Sequence, residues 1–270
     1  MSTALVTGAS RGLGAVFADR LARDGMDLVL VARDRAGLER TAAAARRHGV
    51  SADVLVADLS TPAGRAAAED RVADPYRPVE MLVNNAGVEN SDVFVEADLH
   101  DLQRQIDTNI TAVMSLTHAA LPGMIARGSG SVINVASFAG YLPAPGSTYA
   151  STKAWVLAFT DTMAASLPGT GVGMIALCPG RMRTGKHDAP AAPSPLWLDP
   201  AAVVDQCLRD LGRGRTLCTP GWLYRSVVGA LEAPRRSMRA AARLVGRGRA
   251  QHGADAPPST TRPAPVRTAA

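Results

Sequence analysis

Cysteine is scarce in this chain. Cys178, Cys207 and Cys218 are scattered over 270 residues and are odd in number, which argues against a disulfide framework and fits reduced thiols in a cytoplasmic protein. Histidine is nearly as rare, with five residues and no ligand spacing among them. Acids such as Glu89 and Asp92 read as surface rather than as ligands, so no metal is expected. Long apolar runs are missing: none approaches the roughly 20 residues that cross a bilayer. The stretch from Met1 to Gly8 has no basic flank and runs directly into a strand pattern, so neither a transmembrane segment nor a secretory leader is expected. Aromatic residues make up only 4%, yet the apolar fraction of 47% supplies a full core for one large α/β domain or two small ones.

Acid is absent from one particular place. Six arginines lie between Arg235 and Arg249 with no carboxylate among them, so the net charge of +5 belongs to the C-terminal segment and residues 1–234 are slightly negative. A main body without net positive charge is not built for nucleic acid.

What is present is an alternation. Short apolar runs at 4–7, 28–32, 54–57, 81–83, 131–135 and 172–177 read as strands apolar on both faces. Helical stretches separate them, at about 12–24, 35–48, 62–73, 95–127, 147–167 and 200–213, and a last short strand fits at 216–218. The pattern predicts a doubly wound parallel sheet with helices on both faces. Residues 181–199 interrupt it with Pro190, Pro193 and Pro195 followed by Leu196, Trp197 and Leu198, the composition of a substrate loop with its own apolar anchor. Residues 223–250 read as a basic amphipathic helix broken at Pro234, with Arg235, Arg239, Arg243 and Arg247 along one stripe, and 251–270 as a disordered tail. The domain division predicted is thus 1–222 for the catalytic body, then the helix, then the tail.

Three constellations carry chemistry. The first is the turn from Thr7 to Gly14, between the first strand and the first helix. Gly8, Gly12 and Gly14 permit a tight turn and close backbone approach, and the helix start favours an anion such as a pyrophosphate. The second is Tyr149 with Lys153, which share a helix face at i, i+4; an ammonium beside a phenol is expected to lower the tyrosine pKa and ready it for proton exchange. The third is Ser137, which follows the fifth strand. Its hydroxyl suits a substrate oxygen that gains negative charge, or else the capping of a turn.

Together the Thr-Gly-x-x-x-Gly-x-Gly turn, Asn84-Asn-Ala-Gly87, Asn109, Ser137 and Tyr149-x-x-x-Lys153 resemble the short-chain dehydrogenase/reductase family over about residues 3–185. The resemblance implies a Rossmann-type sheet of about seven strands, a nicotinamide cofactor and hydride exchange with an alcohol or carbonyl. It implies catalytic roles for Ser137, Tyr149, Lys153 and Asn109, the last helping to bind a water in a proton relay. It assigns cofactor contacts to Gly8, Ser10, Arg11, Gly12, Leu13 and Gly14 in the turn, Asp58 and Leu59 after the third strand, Asn85, Ala86 and Gly87 after the fourth, Tyr149 and Lys153, and Pro179, Gly180 and Thr184 near the nicotinamide. The interval from Ser137 to Tyr149 is one residue shorter than usual in the family, a shortening placed in the loop from Leu142 to Ser147.

The second strand ends in Arg33 followed by Asp34. An arginine there, with Arg11 in the turn, suits the 2′-phosphate of NADP(H), whereas an NAD site would use Asp34. The expected activity is NADPH-dependent reduction of a small-molecule ketone. The alternatives are an alcohol dehydrogenase running oxidatively and a non-catalytic cofactor-sensing member. Leu142, Met182, Leu196 and Trp197 are candidates for an apolar pocket wall. The acidic stretch from Glu89 to Asp92 either favours a polar or cationic substrate or is a hydrated loop. The family implies a homodimer or homotetramer through the long helices. For the basic C-terminal helix three readings stay open: packing on the body, peripheral contact with a membrane or acidic partner, or a subunit interface.

Overall fold

The computed structural model describes residues 2–89, 94–142, 148–182 and 196–232. Asp92, the shortened loop at 143–147, Thr184 and the prolines of 183–195, the arginine stripe beyond 232 and the tail at 251–270 lie outside the described residues.

The strands are β1 (Thr3–Thr7), β2 (Asp27–Ala32), β3 (Ala52–Val56), β4 (Met81–Asn84), β5 (Gly130–Val135), β6 (Val172–Leu177), β7 (Arg181–Met182), β8 (Trp197–Leu198) and β9 (Leu217–Cys218). Seven of them form one sheet in the order β3-β2-β1-β4-β5-β6-β9, with every pairing parallel. The other two form a separate parallel ladder, Arg181 opposite Trp197 and Met182 opposite Leu198. The interruption expected at 181–199 is therefore paired at both of its ends. At the sheet edge, β3 begins two residues before its apolar run, and its Asp53 and Val56 are exposed.

The helices are α1 (Gly12–Arg23), α2 (Arg35–Arg46), α3 (Pro62–Ala73), α4 (Leu99–Ile106), α5 (Ala112–Arg127), α6 (Thr148–Ala165) and α7 (Pro200–Gly212). Side chains alternate across each strand. Val6, Leu30, Ile133 and Ile175 pack under Phe17 of α1, Leu38 of α2 and Val203 of α7. Their neighbours Leu5, Val29, Val132 and Met174 pack against Ala68 of α3 and Leu116 and Met124 of α5. The local sequence sets the helix starts. Asp34, Thr61, Asp98 and Asp199 each accept a backbone N–H of the first turn of α2, α3, α4 and α7, and Pro62 and Pro200 occupy the first helical position, where no N–H is needed. The long helix expected over 95–127 begins at Leu99 and widens into a π turn, Asp107–Thr111, between α4 and α5. Such turns are common at functional sites. A further helix is described at 222–232; it buries Tyr224 and Val228 and exposes Trp222 and Leu231.

A buried polar chain crosses the centre of the sheet. Asn84 of β4 donates to Thr117 of α5 (3.1 Å) and to Asn134 of β5 (2.9 Å), and Asn134 donates to Thr160 of α6 (3.0 Å). These bonds run from α5 through β4 and β5 to α6 and tie α6 to β5, while the buried Oδ1 of Asn84 is left without a partner. The chain winds outward from β1 to β3 on one side and from β4 to β9 on the other. The crevice at the carboxyl ends of β1 and β4 is where this topology places ligands. Among the described residues no helix is long and apolar enough to cross a membrane.

Candidate active site

That crevice opens into a cavity of about 1480 Å³, larger than the roughly 300–1,000 Å³ of a single small-molecule site. It has room for two ligands side by side. Its two ends are built differently.

At the first end lie Gly8, Ser10, Arg11, Gly12 and Leu13, with Arg33, Asp58 and Leu59 across from them and Asn85, Ala86 and Gly87 between. Gly8 takes a left-handed φ of +67°, and a Cβ there would meet Asn85 Nδ2 at 2.8 Å and Ala86 Cα at 2.9 Å. Thr7 holds the two segments together: its hydroxyl accepts the N–H groups of Asn85 and Ala86, both at 2.9 Å. Gly14 lies behind the turn, buried, and does not line the cavity. Unlike α2, α3, α4 and α7, helix α1 has no side-chain cap, because Arg11 occupies that position. Its first N–H groups are unsatisfied by any cap, which suits an anion.

Asp34 is otherwise engaged. Its Oδ1 caps α2 by accepting the Gly37 N–H at 3.0 Å, and Arg40 approaches its carboxylate at 4.0 Å. Arg33 is half exposed beside the cavity, 3.7 Å from Asp58. Burial works to raise the Asp58 pKa, but the Ser60 N–H and hydroxyl (3.0 and 2.7 Å), together with the charges of Arg33 and Arg104, hold it below its ordinary value.

At the other end Ser137, Tyr149 and Lys153 meet, with Pro179 and Gly180 beside them. Lys153 is only 4% exposed, its Nζ donates to Val135 O at 2.7 Å, and it lies 5.7 Å from the centre of the Tyr149 ring. Burial lowers its pKa to about 8. Tyr149 departs from expectation. Its pKa is pushed up to about 12 rather than lowered: burial is the main cause, the charge of Glu89 adds to it, and a hydrogen bond with Ser137 opposes it. The neighbouring lysine alone would lower it, but desolvation disfavours the charged form of both partners. Ser137 does cap a turn, since its Oγ accepts the Ala139 N–H at 3.2 Å, and it also reaches the phenol. The capping reading is thus observed.

Asn109 does not line the cavity. It is fully buried within the π turn; its Oδ1 accepts from Val88 N at 2.8 Å, and its Nδ2 donates to Val88 O at 2.8 Å and Thr152 Oγ1 at 3.0 Å. Both amide protons are engaged, so a relay water here would have to be met by the remaining Oδ1 lone pair or by the main chain. One turn away, Thr148 donates to Gln105 at 2.5 Å, and Gln105 is 1% exposed. Gln105 and Asn109 on one helix thus engage Thr148 and Thr152 on the other, framing Tyr149 and Lys153. Sequence reasoning missed Gln105, Thr148 and Thr152. The signal was there in part: each pair repeats the i, i+4 spacing of Tyr149 and Lys153.

The remaining wall is largely apolar. Phe138, Leu142, Met182, Leu196, Trp197 and Tyr224 line it, and Glu89 and Arg181 supply charge. Tyr224 was also missed, and no local motif marks it.

Comparison with known proteins bears on the family and the fold. Residues 2–191 match the short chain dehydrogenase family. Among curated proteins, ketoacyl reductase HetN of Nostoc sp. is 38% identical over 179 residues, which cover 66% of this chain and 62% of that one. The match thus spans less than two thirds of HetN. Oxidoreductase UcpA of Escherichia coli is 38% identical over 184 residues, covering 67% and 70%. Among solved structures, a short-chain dehydrogenase from Sphingobium yanoikuyae in complex with NADPH superposes with a TM-score of 0.80 at 34% identity, over 89% of this chain and 96% of that one. A bulky-bulky ketone specific alcohol dehydrogenase from Comamonas testosteroni gives 0.79 at 31% identity, over 89% and 94%.

Proposed function

This chain belongs to the short-chain dehydrogenase family of oxidoreductases, and on that premise we propose that it is an NADPH-dependent ketone reductase, exchanging a carbonyl for a secondary alcohol. The observation that carries the reading is one cavity that joins an uncapped, arginine-flanked helix start to the Ser137, Tyr149 and Lys153 cluster. The relative named for bulky ketones and the NADPH-bound neighbour support it.

The residues of the first end fit a dinucleotide. Gly8, Ser10, Arg11, Gly12 and Leu13 would hold the pyrophosphate side, Gly14 allowing the turn to pack. Asp58 and Leu59 would border the adenine, and Asn85, Ala86, Gly87, Pro179 and Gly180 the nicotinamide half; Thr184 is proposed as a further contact there. Arg33 and Arg11 would meet a 2′-phosphate, and the engagement of Asp34 as a cap supports NADPH over NADH. When bound, the reduced nicotinamide supplies a hydride for the carbonyl carbon.

The chain's own residues do the rest. Ser137 donates a hydrogen bond to the carbonyl oxygen as charge develops there. Tyr149, held protonated by its burial, gives its proton to that oxygen. Lys153 supplies the positive charge that makes the resulting phenolate tolerable. Asn109 fixes Val88 and Thr152 around the pair and, we propose, takes part in re-protonation from solvent. Incubating the purified protein with NADPH and a panel of small and bulky ketones tests the reading. Alcohol formation by the wild type that is lost in Tyr149→Phe is expected; tight NADPH binding without turnover of any ketone would instead identify a cofactor sensor.

The exposed apolar residues Val95, Leu99, Ile106 and Met114 on and just before α4 and α5 support a homo-oligomer built on these helices. Light scattering that reports a single-subunit mass would count against it.

A further inference from the structure

The structure assigns Tyr224 as a positioning residue for the substrate half of the site, an inference that rests on the reductase reading above. Tyr224 stands on the helix at 222–232, remote in sequence from every motif, and is 6% exposed. Its hydroxyl donates to Leu196 O at 2.9 Å and accepts the Arg181 N–H at 3.2 Å. Arg181 opens β7, and Leu196 immediately precedes β8. One hydroxyl therefore ties the starts of both strands of the small ladder.

The ring is used as well. It stands edge-on to Phe138 at 4.8 Å and 70°, and it lies so close over Gly180 that a Cβ there would clash with Tyr224 Cζ and Cε2. Phe138 follows Ser137 directly, and its N–H bonds Pro179 O at 2.9 Å. Tyr224 thus touches three segments of the cavity wall, which carry Ser137, Gly180, and the ladder residues Met182 and Trp197. Its hydroxyl bonds the ladder rather than the phenol at 149, so loss of that hydroxyl falls on how the ketone is held and not on proton delivery. The geometry explains why residue 180 is glycine and why a tyrosine, not a phenylalanine, sits above it: the position needs both a flat ring and a hydroxyl that is donor and acceptor at once.

The test uses full-length Tyr224→Phe and Tyr224→Leu, with ketone and NADPH kinetics, thermal midpoints, and trypsin cleavage at Arg181, Arg183 and Lys186. Tyr224→Phe keeps the ring and removes two hydrogen bonds, so the ketone KM is expected to rise about tenfold and cleavage to speed up by a similar factor. The kcat and the NADPH KM should stay within about twofold. Tyr224→Leu also loses the edge contact and should raise the ketone KM further. An unchanged ketone KM in Tyr224→Phe overturns the assignment, whether or not cleavage changes. So does a parallel decline of kcat and both KM values that tracks a lowered thermal midpoint, because that is the mark of a merely structural residue. If the wild type turned over no ketone, the reductase reading would fail instead, and unchanged cleavage in Tyr224→Phe would separately refute the hydroxyl tie.

Discussion

The two ends of the cavity are made of different materials. The dinucleotide end consists of backbone turns, a helix start without a cap and half-exposed charges such as Arg33 and Asp58. The reacting end consists of buried titratable groups: Lys153 is held by the Val135 carbonyl and Tyr149 by Ser137, while Gln105 and Asn109 engage Thr148 and Thr152 of the helix that carries both. In the first, the charges of Arg33 and Asp58 are partly exposed and screened by solvent. In the second, desolvation outweighs the attraction between neighbours. Binding an anion requires N–H groups and arginines facing an open crevice; transferring a proton requires a dry place where one charge matters. A single fold supplies both because the sheet's switch point is open while α6 packs deeply against β5 and β6.

Substitutions at the two ends should therefore fail in different ways. The largest effect is expected for Tyr149→Phe, with turnover reduced about a thousandfold through loss of the general acid and NADPH affinity nearly unchanged; stopped-flow NADPH oxidation and a fluorescence titration read the two separately. Loss of both together would blur the distinction between the ends. Arg33→Ser should act in reverse. Removing a charge-assisted contact to the 2′-phosphate is worth about 1.5–3 kcal/mol, so the NADPH KM should rise roughly 10- to 100-fold while kcat at saturation and the NADH KM barely move. An equal change with both cofactors would show that Arg33 serves only its ion pair with Asp58.

The same contrast explains what was legible in the sequence. The strands, their order of appearance and the Gly8 to Gly14 turn could be read because apolar runs and glycine spacing are local. Tyr149 and Lys153 were legible for the same reason: four residues on one helix fix a face. Their pKa values were not, since burial depends on Val135, Asn109 and the strands behind them, which no window around residue 149 contains. The π turn was read as plain helix, because Asp107–Thr111 carries an ordinary helical composition. The polar chain from Thr117 through Asn84 and Asn134 to Thr160 links four elements and has no sequence signature. Tyr224 is the extreme case: its partners at 138, 181 and 196 lie 28 to 86 positions away.

The smallest effect, about tenfold per pH unit, is also the sharpest. Below its lowered pKa of about 8, Lys153 is charged and can support the phenolate left when Tyr149 releases its proton; above it, that support is lost. Folding responds with the opposite sign. The unfolded lysine keeps its proton to near its ordinary 10.5, so between about 8 and 10.5 the unfolded chain binds more protons, and this group's contribution to stability rises with pH. Tyr149, raised to about 12, stays protonated throughout that window.

The most direct measurement is the pH dependence of kcat/KM for ketone reduction by the wild-type protein, taken alongside its thermal midpoint. A rate that is level below about pH 7, falls with unit slope above about pH 8, and does so without loss of stability is the predicted result. A rate that stays level through pH 9.5 would contradict the claim that a buried ammonium at position 153 governs proton delivery from the phenol beside it.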